Sequence, residues 1–176
     1  MNNTDRQNKN ILKGKSYVFG DSISTDLICP GRYYHLRSQI EKLAEHVLED
    51  ARPGFYKQMI PGQSIVVAGK DMGLGSSREH APLVMKVAGC IAVLCKSAAR
   101  IFYRNCINIG LPIIICDTSN IKEGDQLEIN LNEGIVKDLT QGFNLNFKPF
   151  PKIMTDILNA NGLVEYIKKY GDFKLS

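Results

Sequence analysis

The stretch Gly75-Ser76-Ser77-Arg78-Glu79-His80-Ala81-Pro82 concentrates the chemistry-bearing side chains of this 176-residue chain. It holds two hydroxyls, a guanidinium and an imidazole within five positions. Gly73 and Gly75 permit tight backbone turns, and Pro82 is tolerated only in a first helical turn. The spacing therefore predicts a helix starting near residues 80–82, with Ser76, Ser77 and Arg78 at or just before its N-terminus. Free N–H groups and the positive end of the helix dipole collect there. With a guanidinium beside them, they favour a carboxylate or phosphate. A glycine turn with serine N-caps would give the same local pattern. A dinucleotide fingerprint does not fit, because Gly73-x-Gly75 is followed by Arg78 where glycine is required. No Gly-Lys-Ser/Thr is present either, which excludes a P-loop.

The elements around this turn must position it. Ser64–Ala68 reads as a β-branched strand running into Gly69. A strand over Ile91–Cys95 and a helix from about Ser97 to Asn108 follow, with Gly110 at the C′ position. Pro112–Cys116 is a further apolar strand, and continuous apolar runs of this kind suit a sheet covered on both faces. Earlier, Ser16–Phe19 predicts a short strand, and Ile40–Leu48 has helical spacing. Later, Leu127–Leu131 and Ile135–Leu139 flank Asn132-Glu133-Gly134 as a hairpin. Phe143–Phe147 alternates, and Ile153–Tyr170 is helical with an interruption near Asn161-Gly162. Strand–helix alternation followed by antiparallel strands predicts a mixed α/β domain with a second sheet layer. We expect residues 1–15 to form a flexible polar tail and 16–176 a single domain.

Composition narrows the function classes. Hydrophobic content is 44% and charged content 23%, ordinary for a globular chain. The net charge of +4 is dispersed rather than gathered on one stripe, which argues against nucleic acid as a partner. The N-terminus has no apolar run, so neither a secretory signal nor a membrane span is expected. Five cysteines, an odd number without a signal peptide, point to a reducing cytoplasm. None forms a C-x-x-C pair, and four lie in apolar runs where a buried thiol is expected.

Taken together in order, four motifs resemble one family. Gly75-Ser76-Ser77-Arg78-Glu79-His80-Ala81-Pro82 is similar to the signature of aconitase swivelling domains and isopropylmalate dehydratase small subunits. Gly20-Asp21 through Thr25-Asp26-Leu27-Ile28 to Pro30 resembles the family's opening GDxxxTDxIxP. Lys96-Ser97 and Ala99-Arg100-Ile101-Phe102-Tyr103-Arg104-Asn105 resemble its KSxARIFYRN segment, and Asn108-Ile109-Gly110-Leu111-Pro112 follows as in the family. The resemblance covers roughly residues 16–135. It implies a swivelling three-layer β/β/α domain with a mixed sheet, like the aconitase C-terminal domain.

The resemblance also implies a reaction: dehydration and rehydration of a 2-hydroxy di- or tricarboxylic acid, of the kind used in leucine biosynthesis. In this family a large subunit holds a [4Fe-4S] cluster whose open iron acts as a Lewis acid. A serine of the swivelling domain acts as the base. Carried over by position, that serine is Ser76; Gly75, Ser77 and Arg78 would bind a substrate carboxylate, with Thr25 and Asp26 of the opening motif also among the substrate-binding residues. The chain itself is expected to bind no cluster and no metal, because its cysteines lack any C-x-x-C element. It would be active only with the large subunit. His80 is expected to orient the loop.

Departures from the family pattern are specific. Leu74 stands where the family often has Cys, Ser24 where Asp is common, and Ala98 where Phe is usual. The loop after Pro30 reads Gly31-Arg32-Tyr33-Tyr34-His35-Leu36-Arg37. In the family this loop reads the substrate's variable side chain. Tyr34 and Leu36 would suit an isopropyl group, whereas Arg37, with Arg32 and His35, would suit a third carboxylate as in homocitrate-type substrates. Solvent-facing positions for Arg32, His35 and Arg37 are the equal alternative. From sequence, isopropylmalate and homocitrate-type substrates both stay open.

Overall fold

The computed structural model describes residues 10–172. Its seven strands are β1 (Ile11–Val18), β2 (Ser64–Val67), β3 (Cys90–Cys95), β4 (Ile113–Ile115), β5 (Gln126–Asn130), β6 (Ile135–Asp138) and β7 (Phe143–Asn146). They form one sheet in the order β4-β3-β2-β1-β5-β6-β7. From β1 to β4 the strands are parallel, with Val18 opposite Val67 and Val67 opposite Leu94. From β1 outward through β5, β6 and β7 they are antiparallel. This is the mixed α/β sheet expected from the order of elements.

The apolar runs of β2 and β3 are explained by two cores. Along a strand, side chains alternate between faces. Val66, Val93 and Cys95 join a core with the helices α1 (Thr25–Ile28), α2 (Ile40–Ala44), α3 (His80–Val87) and α4 (Arg100–Asn108). Ile65, Val67, Ala92 and Leu94 join a second core with Leu127, Ile129 and Val136 of the antiparallel strands. The helices and the antiparallel segment thus cover opposite faces of the parallel strands, giving the β/β/α layering. Burying such side chains contributes about 1.5–3 kcal/mol each before entropy is counted.

Several boundaries differ from the sequence expectation. Strand β1 begins at Ile11, inside the expected tail 1–15, because residues 11–15 pair with β5 from Ile11 opposite Asn130 to Lys15 opposite Gln126. Only residues 1–9 of that tail lie outside the described residues. Helix α2 stops at Ala44; turns follow, and Leu48, at φ +53°, donates its N–H to the Ile28 carbonyl at 2.9 Å. Helix α4 starts at Arg100 rather than Ser97, because residues 97–99 pair with the loop after β2: Met72 donates to the Ser97 carbonyl, and Ala99 donates to the Met72 carbonyl. The C-terminal helical segment is split into α5 (Lys152–Asn159) and α6 (Leu163–Tyr170), with Asn161 and Gly162 at positive φ between them.

Three loops leave the carboxyl ends of the adjacent strands β1, β2 and β3: residues 19–24, 68–79 and 96–99. Open parallel sheets place ligand sites at this edge.

Candidate functional site at the carboxyl edge of the sheet

The loop after β2 is fixed from behind before it presents any side chain. Its first part is tied to the loop after β1: Asp21 Oδ1 accepts from the Lys70 N–H at 2.7 Å, Ser22 N–H donates to the Lys70 carbonyl, and Gly73 N–H donates to the Ile23 carbonyl. Its middle is tied to the segment before α4, with Asp71 N–H donating to Ser97 Oγ at 2.8 Å. At Gly73 the backbone has φ +78°, and a Cβ there would lie 2.0 Å from the ring of Phe102. Its far end is held by Asn105, which is buried and donates from Nδ2 to the Ser77 carbonyl at 3.3 Å.

Ser76 and Ser77 are exposed on this fixed loop. Neither caps α3: the N-cap is Glu79, which makes no side-chain capping hydrogen bond. The Ser76 N–H instead donates to Thr25 Oγ1 at 3.1 Å. Thr25, expected among the substrate contacts, is therefore placed behind the loop; it is 1% exposed. Its neighbour Asp26 is exposed and lies 2.9 Å from Arg78 Nη1.

Arg78 is the centre of the charged part of the site. Its Nη1 is buried and has no aligned hydrogen-bond acceptor, despite the short distance to Asp26. The guanidinium lies over the Tyr34 ring at 5.3 Å, and so does that of Arg37. His80 meets the same ring edge-on at 5.4 Å. Stacking on an aromatic face holds a guanidinium while leaving its N–H edges free. Burial pushes the Cys29 thiol up, partly offset by the charge of Arg78.

Not every residue of the loop after Pro30 joins this group. The segment Gly31–Leu36 is a 3-10 turn. Its Tyr34 faces Arg78 and His80, whereas Tyr33 stacks on His46 at 3.6 Å. Arg32 makes a bidentate pair with Asp50 at 2.7 and 2.6 Å, which takes it out of the group available for a third carboxylate. His35 is exposed, and its Nδ1 is 3.0 Å from the Arg32 carbonyl. Sequence reasoning named Asn105 and Phe102 only as parts of a motif; the structure shows what they hold. The signal was present in the glycine opposite Phe102, where a bulky side chain has no room.

The chain's own thiols do not fit an iron–sulfur cluster. All five cysteines are buried. Burial pushes Cys90, Cys95 and Cys116 up to about 12, far from the thiolate a cluster needs. Among the described residues, no three His, Cys, Asp or Glu side chains are grouped to hold a metal ion. No helix among them is long and apolar enough to cross a membrane.

Residues 22–117, which carry the loops at 68–79 and 96–99 and the end of the loop at 19–24, match the model of the aconitase C-terminal domain. The fold and the edge site thus define a domain of that class. More particularly, the chain is 56% identical to the 3-isopropylmalate dehydratase small subunit 2 of Archaeoglobus fulgidus, with 93% of this chain and 99% of that protein covered. It is 52% identical to the small subunit 1 of Thermotoga maritima, with 93% and 98% covered. The crystal structure of a 3-isopropylmalate dehydratase chain from Methanocaldococcus jannaschii superposes with a TM-score of 0.86 at 41% identity, covering 92% of this chain and 95% of that one. The chain belongs to the family of 3-isopropylmalate dehydratase small subunits.

Proposed function

We propose that this chain is the small subunit of a heteromeric hydro-lyase that interconverts 2-isopropylmalate and 3-isopropylmalate in leucine biosynthesis, in the cytoplasm. It would act as one swivelling unit against a large subunit that carries the [4Fe-4S] cluster. The substrate is supported by the names of relatives that match almost end to end. The chemistry is carried by one observation: an exposed Ser76, on a loop braced from three sides, two residues from a guanidinium with a buried, unaligned donor.

In this reading Ser76 Oγ, as the alkoxide, takes the carbon-bound proton. The electron pair left behind forms the carbon–carbon double bond as hydroxide leaves the neighbouring carbon. Reversal with the hydroxyl added to the other carbon gives the isomer, and Ser76 returns the proton. A serine alkoxide is too basic to persist in water, so nearby donors and cations must stabilise it. Arg78 supplies the cation and, with the backbone of Gly75 and Ser77, holds a substrate carboxylate. Asp26 orients Arg78. Tyr34 forms the wall against the variable side chain, with His35 and Arg37 at its margin.

The test is the reconstituted complex with Ser76→Ala. A loss of kcat of roughly 10²–10⁴ is expected for removal of a general base; undiminished turnover rejects the assignment. A homocitrate-type substrate is the second reading, motivated by Arg37 over Tyr34. Under it, Arg37→Ala would depress kcat/KM for the tricarboxylate and leave isopropylmalate turnover intact.

A further inference from the structure

The first residue of α1 grips the loop on both sides of Gly75. Thr25 donates its backbone N–H to the Leu74 carbonyl at 2.7 Å. Its Oγ1 accepts from the Ser76 N–H at 3.1 Å. Those two bonds fix the peptide planes before and after Gly75. Gly75 itself sits at φ +105°, and a Cβ built on it would lie 3.1 Å from Thr25 Oγ1. A glycine in this region has wide conformational freedom when unconstrained. The direction in which Ser76 projects is therefore set by Thr25 and not by Gly75.

Thr25 is well suited to this. It opens α1, whose N-cap Ser24 accepts from the Leu27 N–H, and its own carbonyl accepts from the Cys29 N–H at 2.9 Å. At 1% exposure its hydroxyl has no open path to a substrate. Neighbouring loop bonds act elsewhere: Gly73 N–H to the Ile23 carbonyl fixes the start of the loop, and Asn105 fixes Ser77. Among the described residues, Thr25 alone hydrogen-bonds to both residues flanking Gly75.

We propose that Thr25 is a positioning residue that sets the orientation of Ser76 by clamping the two peptides around Gly75. This rests on Ser76 as the base. It adds that the Ser76 N–H is occupied, so donors for a bound anion come from the backbone of Gly75 and Ser77 and from Arg78. A displacement of about 1 Å at a reacting group can cost on the order of 10²-fold in rate.

The experiment compares Thr25→Val, which keeps the shape and removes the acceptor, with Thr25→Ser, which keeps the hydroxyl, and with Ser76→Ala. Each is assayed in the reconstituted two-subunit enzyme for kcat, KM and the pH profile of kcat, with complex formation measured by sedimentation. Thr25→Val is expected to lower kcat roughly 10- to 100-fold, with KM nearly unchanged and the complex intact. Its kcat profile should move to higher pH, whereas a mere loss of folded protein scales a profile without moving it. Thr25→Ser should restore most of the rate. Wild-type kcat in Thr25→Val, or equal impairment in Thr25→Ser, overturns the clamp while an inactive Ser76→Ala leaves the base assignment standing. An active Ser76→Ala overturns both.

Discussion

Arg78 Nη1 lies 2.9 Å from Asp26 Oδ1 without the alignment of a hydrogen bond, while the same guanidinium rests over the ring of Tyr34. The carboxylate holds the charge in place and leaves a donor unmatched. A lysine cannot reproduce this, because it has neither a planar fork nor an aromatic-stacking face. In Arg78→Lys the KM for isopropylmalate should rise by roughly 10- to 100-fold, equivalent to about 1.4–2.8 kcal/mol of lost charge-assisted binding. The melting temperature of the free subunit should change little. Unchanged KM in steady-state assays would remove Arg78 from the substrate contacts.

Gly73 offers a stability test separate from catalysis. Its φ of +78° and the Phe102 ring, 2.0 Å from where a Cβ would stand, leave no room for alanine. Gly73→Ala should destabilise the subunit by about 2–3 kcal/mol through overpacking and left-handed strain. Urea unfolding would read this directly. Gly73→Ala combined with Phe102→Ala should recover the steric part of the loss, although the cavity left by the ring adds its own cost.

Acid stability is predicted to depend on Glu123. Burial raises this carboxyl, but the hydrogen bonds from Arg52 and from the Val18 N–H outweigh it, so it is held below the usual 4.5. Arg52 reaches it at 2.8 Å and also stacks on Phe19 and Phe55. With the folded value below the unfolded one, this stabilisation is present above the unfolded value and is lost as pH falls through the folded one. Glu123→Gln should therefore cost on the order of 1 kcal/mol at neutral pH, limited by solvent screening of a half-exposed pair. The difference from wild type should vanish in acid, once the pH has fallen through the folded value. Paired urea melts at the two pH values check it; a pH-independent difference contradicts the ion-pair account.

The cysteines make a fourth prediction. With all five buried and burial pushing Cys90, Cys95 and Cys116 up to about 12, the native subunit should resist thiol reagents near pH 8. Ellman titration should count five thiols only after denaturation. Rapid labelling of the folded chain would show a thiol more open than the structure has it.

The loop from Gly69 to Pro82 was legible from sequence because its punctuation is local: glycines, a helix-start proline and clustered polar side chains. The strands β2 and β3 were legible because strands covered on both faces leave a nearly continuous apolar run. What escaped was set by partners far along the chain. Ile11–Lys15 reads as a polar tail until β5 supplies its hydrogen bonds. Arg32 reads as a free cation until Asp50 is brought beside it. Thr25 sat in a recognisable motif, yet only the fold shows that its hydroxyl turns inward to Ser76 and not outward. Residue type announced a site; spacing alone could not separate what touches the substrate from what aims it.

The bracing of the Ser76 loop lies wholly within one polypeptide: Asp21, Thr25, Ser97, Phe102 and Asn105 all belong to this chain. Docking with a large subunit then requires no coupled folding of this loop, and little ordering entropy is lost at that point of the contact. Assembly of the enzyme should accordingly follow simple second-order kinetics, with the rate of appearance of activity proportional to both subunit concentrations and free of a slow unimolecular lag.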